Sequence, residues 1–171
     1  MANEFIAQLY PRDFFRESSL GNHDSFNTVQ IGDLAGLPLP KFAAQGYCAL
    51  VPVSHANTFG TGLTFTLYTV DDGKDAADLG KVVRYGLTVK RLIDGESTDI
   101  DTGSATEQTV DVTLESTSGN VSVNTLAIAN ANLDSLATGE AFLLRVRRVS
   151  TASQDTCQGR VLLLGVGVKN T

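Results

Sequence analysis

The sequence predicts an all-β fold, an antiparallel jelly-roll-like β-sandwich preceded by an extended N-terminal arm. From residue 47 onward, large apolar side chains repeatedly alternate with polar ones, as expected for strands with one buried face. Turn sequences rich in Gly, Asp and Asn, such as Asp71-Asp72-Gly73 and Ser118-Gly119-Asn120, separate these segments. Short strands divided by such turns are typical of sandwiches and barrels.

The alternation predicts seven strands after residue 46. In 63–68, for example, Leu63, Phe65 and Leu67 share one face and alternate with threonine and tyrosine. The seven segments are 48–54, 63–68, 83–93, 110–114, 121–123, 142–147 and 161–168. Only two short helical turns are predicted, at 75–81 and 129–136. An immunoglobulin-like sandwich is the competing topology, but it normally carries a tryptophan between two cysteines, and this chain has no tryptophan.

Residues 1–46 differ in composition from the predicted domain, 47–171. Three of the four prolines lie here, and the Leu-Pro-Leu-Pro sequence at 37–40 favours an extended, polyproline-like path. A short strand is predicted at 28–31. We expect this arm to lie across a neighbouring subunit, and packing on its own domain remains the open alternative.

Charge and hydropathy limit the possible partners. The chain has 171 residues, enough for one domain, with 13 Lys and Arg against 19 Asp and Glu. Its net charge of -6 disfavours binding to nucleic acid phosphates. No segment approaches the roughly 18 apolar residues that a membrane helix needs, and the first residues lack the features of a secretion signal. We therefore expect neither a nucleic-acid nor a membrane partner.

The residue types used in catalysis and metal binding are sparse. His23 and His55 have no cysteine or second histidine at zinc-ligand spacing. Acidic residues cluster at 71–78 and 94–101, but their spacing does not match an EF-hand, so we predict solvated turns and leave calcium binding open. No nucleophile elbow, P-loop or dinucleotide fingerprint is present. We predict no enzyme, no cofactor and no metal site, and we expect Cys48 and Cys157 to be reduced thiols, at least one of them buried.

The C-terminal part has a characteristic order of segments. Residues 136–148, Leu-Ala-Thr-Gly-Glu-Ala-Phe-Leu-Leu-Arg-Val-Arg-Arg, predict a penultimate strand entered through a Gly-Glu turn. A polar loop at 150–156 then leads through Gly159 to the final strand. This arrangement resembles the small jelly-roll structural proteins of tailed bacteriophages, particularly capsid decoration (cement) proteins. The rest of the sandwich matches them only in pattern.

The resemblance implies a non-enzymatic virion protein, made in the cytoplasm of a bacterial host. Such proteins assemble as homotrimers on the capsid exterior and clamp neighbouring subunits of the major capsid protein, often with an extended arm. The arm residues assigned to this contact are the apolar anchors and their charged neighbours, Phe14, Phe15, Leu37, Leu39, Arg12 and Arg16.

Arg145 and Arg147 project from one face of a predicted strand. They are expected to pair with carboxylates of a neighbouring strand or of a partner subunit. Two other functions stay open. One is a carbohydrate-binding module on the same fold, against which the missing tryptophan counts, and the other is a minor head–tail or tail component.

Overall fold

The computed structural model describes residues 5–16, 29–31, 34–39, 46–51, 61–73, 76–92 and 106–171. Within these ranges the chain forms strands joined by turns and by three short 3-10 segments. The strands are β1 (Phe5–Leu9), β2 (Phe14–Arg16), β3 (Val29–Ile31), β4 (Leu34–Leu39), β5 (Gly46–Val51), β6 (Gly62–Asp71), β7 (Val82–Arg91), β8 (Gln108–Thr113), β9 (Ser122–Ala129), β10 (Phe142–Arg148) and β11 (Val161–Asn170). No helix in these ranges is long and apolar enough to cross a membrane.

The strands form two antiparallel sheets, which confirms the predicted jelly-roll-like β-sandwich. The first sheet has the order β3-β4-β11-β6-β9, and β1 also pairs with β11. The second has the order β2-β5-β10-β7-β8. All seven strands predicted after residue 46 overlap an observed strand. In place of the helical turns predicted at 75–81 and 129–136, the structure has the shorter 3-10 segments Ala76–Asp78 and Asn130–Asn132.

The core lies between the two sheets and follows the alternation in the sequence. Leu63, Phe65 and Leu67 of β6 are fully buried, as are the alternate residues Leu87 and Val89 of β7. Side chains of both sheets belong to one continuous apolar cluster. Burying each of these large side chains stabilises the fold by about 1.5–3 kcal/mol.

The described parts of residues 1–46 are extended, as predicted, but they are strands of the sandwich itself. β1 and β4 pair with β11, and β2 pairs with β5. Phe14, Leu37 and Leu39 are at most 1% exposed and belong to the common core. These three residues are therefore not the exposed anchors for a partner that the sequence predicted, because the described strands β1, β2 and β4 pair with the edges of β11 and β5 and pack on their own domain. Phe15 and Arg16 lie on β2, and their side chains are outside the described part of the structure.

The Leu-Pro-Leu-Pro segment forms a strand rather than a polyproline path. Leu37, Pro38 and Leu39 of β4 stand opposite residues 161–163 of β11. Proline has no N–H to donate to a neighbouring strand. This costs β4 no hydrogen bond to β3, because β3 pairs only with residues 34–36 and no β3 residue stands opposite Pro38. The Pro38 carbonyl accepts a hydrogen bond from the Tyr47 hydroxyl at 2.8 Å. This bond joins the two sheets across the N-terminal segment.

A buried ion pair closes one end of the sandwich. Arg148, the last residue of β10, and Asp155 have fully buried side chains, and Nε and Nη2 of the arginine each donate to the carboxylate at 2.7 Å. The remaining donors reach the carbonyls of Cys157 and Gly159, both at 2.5 Å, and of Leu39 at 3.4 Å. Burial alone would lower the pKa of Arg148, but the hydrogen bonds and charge of Asp155 outweigh it, and the pKa is raised. One guanidinium thus ties the 149–160 loop and β4 to β10.

Cys48 and Cys157 are buried thiols with no disulfide between them, as the sequence predicts. Burial raises the pKa of Cys157 to about 11, even though Arg148 nearby favours the thiolate. Because the thiolate is the reactive form, Cys157 is an inert core residue at neutral pH.

Arg148 and its neighbour Arg147 offer a matched test of this ion pair. Arg148→Met removes the bidentate cation from the buried Asp155 carboxylate and is expected to cost about 3–5 kcal/mol of unfolding free energy. Arg147→Met removes a partly exposed pair and is expected to cost about 1 kcal/mol or less. Urea denaturation measures both. Equal losses for the two variants would contradict the role given to Arg148, and Arg148→Met with Asp155→Leu is expected to recover part of the loss.

Candidate functional site

The outer faces of the two sheets differ in charge. The outer face of the second sheet carries two bidentate ion pairs: Arg84 with Asp111 at 2.6 and 2.7 Å, and Arg147 with Glu107 at 2.5 and 2.7 Å. The hydrogen bond to Arg84 lowers the pKa of Asp111, so that carboxylate stays ionised. These charged groups satisfy one another and leave little capacity for a ligand.

The outer face of the first sheet is nearly free of charge. We call its central part the glycine face, and its outward residues come from four neighbouring strands. They are Gln8 of β1, Gly165 and Gly167 of β11, Thr64, Thr66 and Tyr68 of β6, and Val123, Thr125 and Ala127 of β9. Lys169 is the one charged side chain of β1, β6, β9 and β11 that the described structure places beside it.

Strand register arranges the glycine face in rows. Gln8, Gly167, Thr66 and Thr125 stand directly opposite one another across four strands. Gly165, Tyr68 and Val123 form the adjacent row. An amide, hydroxyls and an aromatic ring thereby come together from residues that are far apart in the sequence.

The two glycines form the floor of this face. A Cβ on Gly167 would lie 3.2 Å from Gln8 Oε1 and 3.8 Å from Cε2 of Tyr68, so both side chains lean over the bare backbone. A Cβ on Gly165 would lie only 2.6 Å from the Leu9 carbonyl oxygen, which shows how closely β1 approaches β11. The Gln8 amide and the Tyr68 ring thus cover the buried backbone of Gly167, whereas Gly165 permits the close pairing of β1 with β11.

The interaction residues predicted from the sequence do not form one site. Arg147 is held by Glu107 across Gly86, where a Cβ would overlap the glutamate. Arg145 is half-buried on the same outer face. Arg12 lies apart from both, with 82% of its side chain exposed and its guanidinium 5.6 Å from the centroid of the Tyr10 ring.

The first acidic cluster has a structural role in its described part. Asp71 accepts hydrogen bonds from the backbone N–H groups of Gly73 and Gly119 and from the Ser118 hydroxyl, at 2.8–3.1 Å. It therefore joins two turns. The described residues contain no group of three or more His, Cys, Asp or Glu able to hold a metal ion. Asp75, the 94–101 loop, His23 and His55 lie outside the described residues.

The sequence alone does not reveal the glycine face. Its one local signal is the pair of glycines two residues apart in an otherwise apolar final strand, since glycine within a strand often marks close approach by another backbone or a ligand. Which side of β11 the glycines face depends on register, and Gln8, Thr66 and Thr125 join them only through pairing with distant strands.

No protein-family model matches the chain, and no curated protein matches it significantly in sequence. Solved structures do match. One contains the CBM22-1 and GH10 modules of Clostridium thermocellum xylanase 10B complexed with xylohexaose, at 8% identity and a TM-score of 0.50; the match covers 99% of this chain and 29% of that one. The others include the xylan-binding module CBM15, at 8% identity, TM-score 0.44 and coverage of 99% and 98%. A non-crystalline cellulose-specific module, CBM28, matches at 8% identity, TM-score 0.47 and coverage of 91% and 86%.

These similarities are similarities of fold. This chain spans less than a third of the xylanase chain it matches. At 8% identity the match to the xylanase modules shows a shared β-sandwich architecture.

The two glycines are expected to respond differently to the same substitution. Gly165→Ala drives a methyl group into the Leu9 carbonyl and should cost about 1–3 kcal/mol of unfolding free energy, because backbone must move. Gly167→Ala meets the flexible Gln8 amide instead and should leave stability within about 0.5 kcal/mol. Urea unfolding of both variants measures the difference. Equal destabilisation would show that β1 does not approach β11 as described.

Proposed function

We propose that the chain is a non-catalytic, carbohydrate-binding β-sandwich that holds a neutral polysaccharide chain on the glycine face. The observation that carries the proposal is the row of Gln8, Gly167, Thr66 and Thr125 beside the half-buried ring of Tyr68. A sugar has apolar C–H surfaces that pack on an aromatic ring, and it has hydroxyl groups that both donate and accept hydrogen bonds. The Tyr68 ring suits the first, while the Gln8 amide and threonine hydroxyls suit the second.

The electrostatics of the face favour an uncharged ligand. The outward residues of β6 and β9 include no charged side chain, so the face neither repels a neutral glycan nor selects an ionised one. Lys169 lies at the end of the face, opposite Thr64. Because its outward residues include no pair of carboxylates, the face suits binding rather than glycoside hydrolysis.

The fold similarity suggests which ligand class to test first. The xylanase structure with the TM-score of 0.50 is complexed with xylohexaose. Xylan is a chain of neutral sugars, which accords with the uncharged glycine face. The similarity guides only the choice of ligand, whereas carbohydrate binding itself is inferred from Tyr68 and its neighbours.

Binding is expected to depend on the half-buried Tyr68 and not on the exposed Tyr10. Native affinity electrophoresis in gels containing soluble xylan, hydroxyethylcellulose or other neutral polysaccharides should retard the wild-type chain. Tyr68→Ala and Gln8→Ala should each weaken binding about tenfold or more, which corresponds to about 1.4 kcal/mol. Tyr10→Ala is the matched control, because Tyr10 is 50% exposed and is not among the outward residues of the glycine face.

Two results would contradict this function. One is the absence of retardation by every neutral polysaccharide in the panel. The other is retardation that Tyr68→Ala leaves unchanged while the variant remains folded by circular dichroism.

A second candidate is the virion decoration protein that the C-terminal sequence resembles: a homotrimer on the capsid exterior in contact with the major capsid protein. One observation favours it. Tyr10 and Arg12 lie on the exposed turn after β1, and the arginine is stacked over the ring. Tyrosine and arginine are enriched among residues that dominate protein–protein interfaces. This pair takes the place of the buried Phe14, Leu37 and Leu39 as the docking element of the N-terminal segment.

The two candidates are separated by reciprocal substitutions. If the chain is a decoration protein, Tyr10→Ala with Arg12→Ala should abolish co-sedimentation with shells assembled from the major capsid protein, while Tyr68→Ala should sediment normally. No sedimentation of the wild-type chain with such shells, or sedimentation that the double variant retains, would eliminate this candidate.

A further inference from the structure

Strand β9 is an open edge of the first sheet within the described structure, where it pairs with β6 alone. The Asn130 N–H donates to the Thr61 carbonyl at 3.2 Å, which marks residues 61 and 130 as a hydrogen-bonded pair. Hydrogen-bonded pairs alternate along an antiparallel ladder. The backbone groups of Val123, Thr125 and Ala127 therefore point away from β6, toward the open edge.

This edge lacks the features that normally prevent edge-to-edge pairing. Natural edge strands are protected by charged residues, proline, bulges or short length. Residues 122–129 contain no charged residue, proline or glycine, and their register with β6 runs unbroken over eight pairs. By contrast, β8, the edge of the second sheet, is shorter and presents Asp111 in its ion pair with Arg84.

We propose that β9 pairs antiparallel with β9 of a second copy of this chain, so that the two first sheets become one continuous sheet. The distribution of charge favours a second copy of this chain as the partner of β9. The chain carries a net charge of -6, so contact between two copies meets the least repulsion where neither surface is charged, and residues 122–129 carry no charge. An uncharged strand is complementary to itself under a twofold axis, the commonest symmetry of soluble oligomers.

The twofold fixes the geometry of the contact. The register that uses the outward backbone groups of Val123, Thr125 and Ala127 places Thr125 opposite Thr125 of the partner subunit, with Val123 opposite Ala127 of the partner subunit. The two glycine faces then lie side by side on the same surface. The two β6 strands lie three strand spacings, or about 14 Å, apart. If the glycine face is the binding surface, one extended ligand contacts Tyr68 of both copies, and the two contacts increase its affinity.

Proline substitution on the two edge strands tests the contact. Thr125→Pro removes an N–H that points away from β6, so the fold is retained while edge pairing is blocked. Thr109→Pro in β8 is the matched control: it is also an exposed threonine, and the Leu114 to Lys81 hydrogen bond at 2.9 Å places its N–H on the outward side of its own ladder. Light scattering coupled to size exclusion should give a dimer for the wild-type chain and Thr109→Pro, and a monomer for Thr125→Pro.

A second measurement keeps the proposal testable if Thr125→Pro does not fold. In the wild-type chain, amide hydrogen exchange at Val123, Thr125 and Ala127 should slow by tenfold or more between low micromolar and millimolar concentration, whereas exchange at Thr109 should not change. A monomer with unchanged exchange at millimolar concentration overturns the proposal. So does a dimer or trimer that folded Thr125→Pro leaves intact.

Discussion

The pairing of β11 with β1, β4 and β6 is the contact on which the rest of the structure depends. Leu9 and Leu37 reach the core because β1 and β4 lie along one side of β11. The approach of β1 is possible because Gly165 has no Cβ to meet the Leu9 carbonyl. Gly165 thus allows β1 to join the sandwich, and Gly167 allows the Gln8 amide and the Tyr68 ring to pack closely over β11 in the glycine face.

Local patterns predicted the strands after residue 46, because alternation along β6 or β7 is visible within a few residues. The placement of the N-terminal strands was not predictable in this way, since β1 pairs with a strand at the opposite end of the chain. The same limit applies in part to the arginines of β10. Alternation along β10 places Arg148 on the same inward face as Val146, and Arg145 and Arg147 on the outward face. The partners of Arg148 are not predictable in this way, because Asp155 and the carbonyls come from the returning 149–160 loop.

The division of charge between the two outer faces gives the molecule its functional asymmetry. On the second sheet, arginines and carboxylates are joined in bidentate pairs, and their hydrogen-bonding groups are largely satisfied. On the first sheet, threonine hydroxyls, the Gln8 amide and the Tyr68 ring present neutral groups around a glycine floor. The threonine side chains lose little conformational entropy on binding, which suits a face that makes many weak contacts.

The central claim is that this neutral glycine face is the binding surface. The most direct test is a titration of isotope-labelled protein with xylohexaose or another neutral oligosaccharide, followed by nuclear magnetic resonance. The account predicts saturable shifts confined to the signals of Gln8, Thr66, Tyr68, Thr125 and Gly167. Shifts confined to the charged outer face of the second sheet, or no shifts at millimolar concentrations of every neutral oligosaccharide tested, would contradict it.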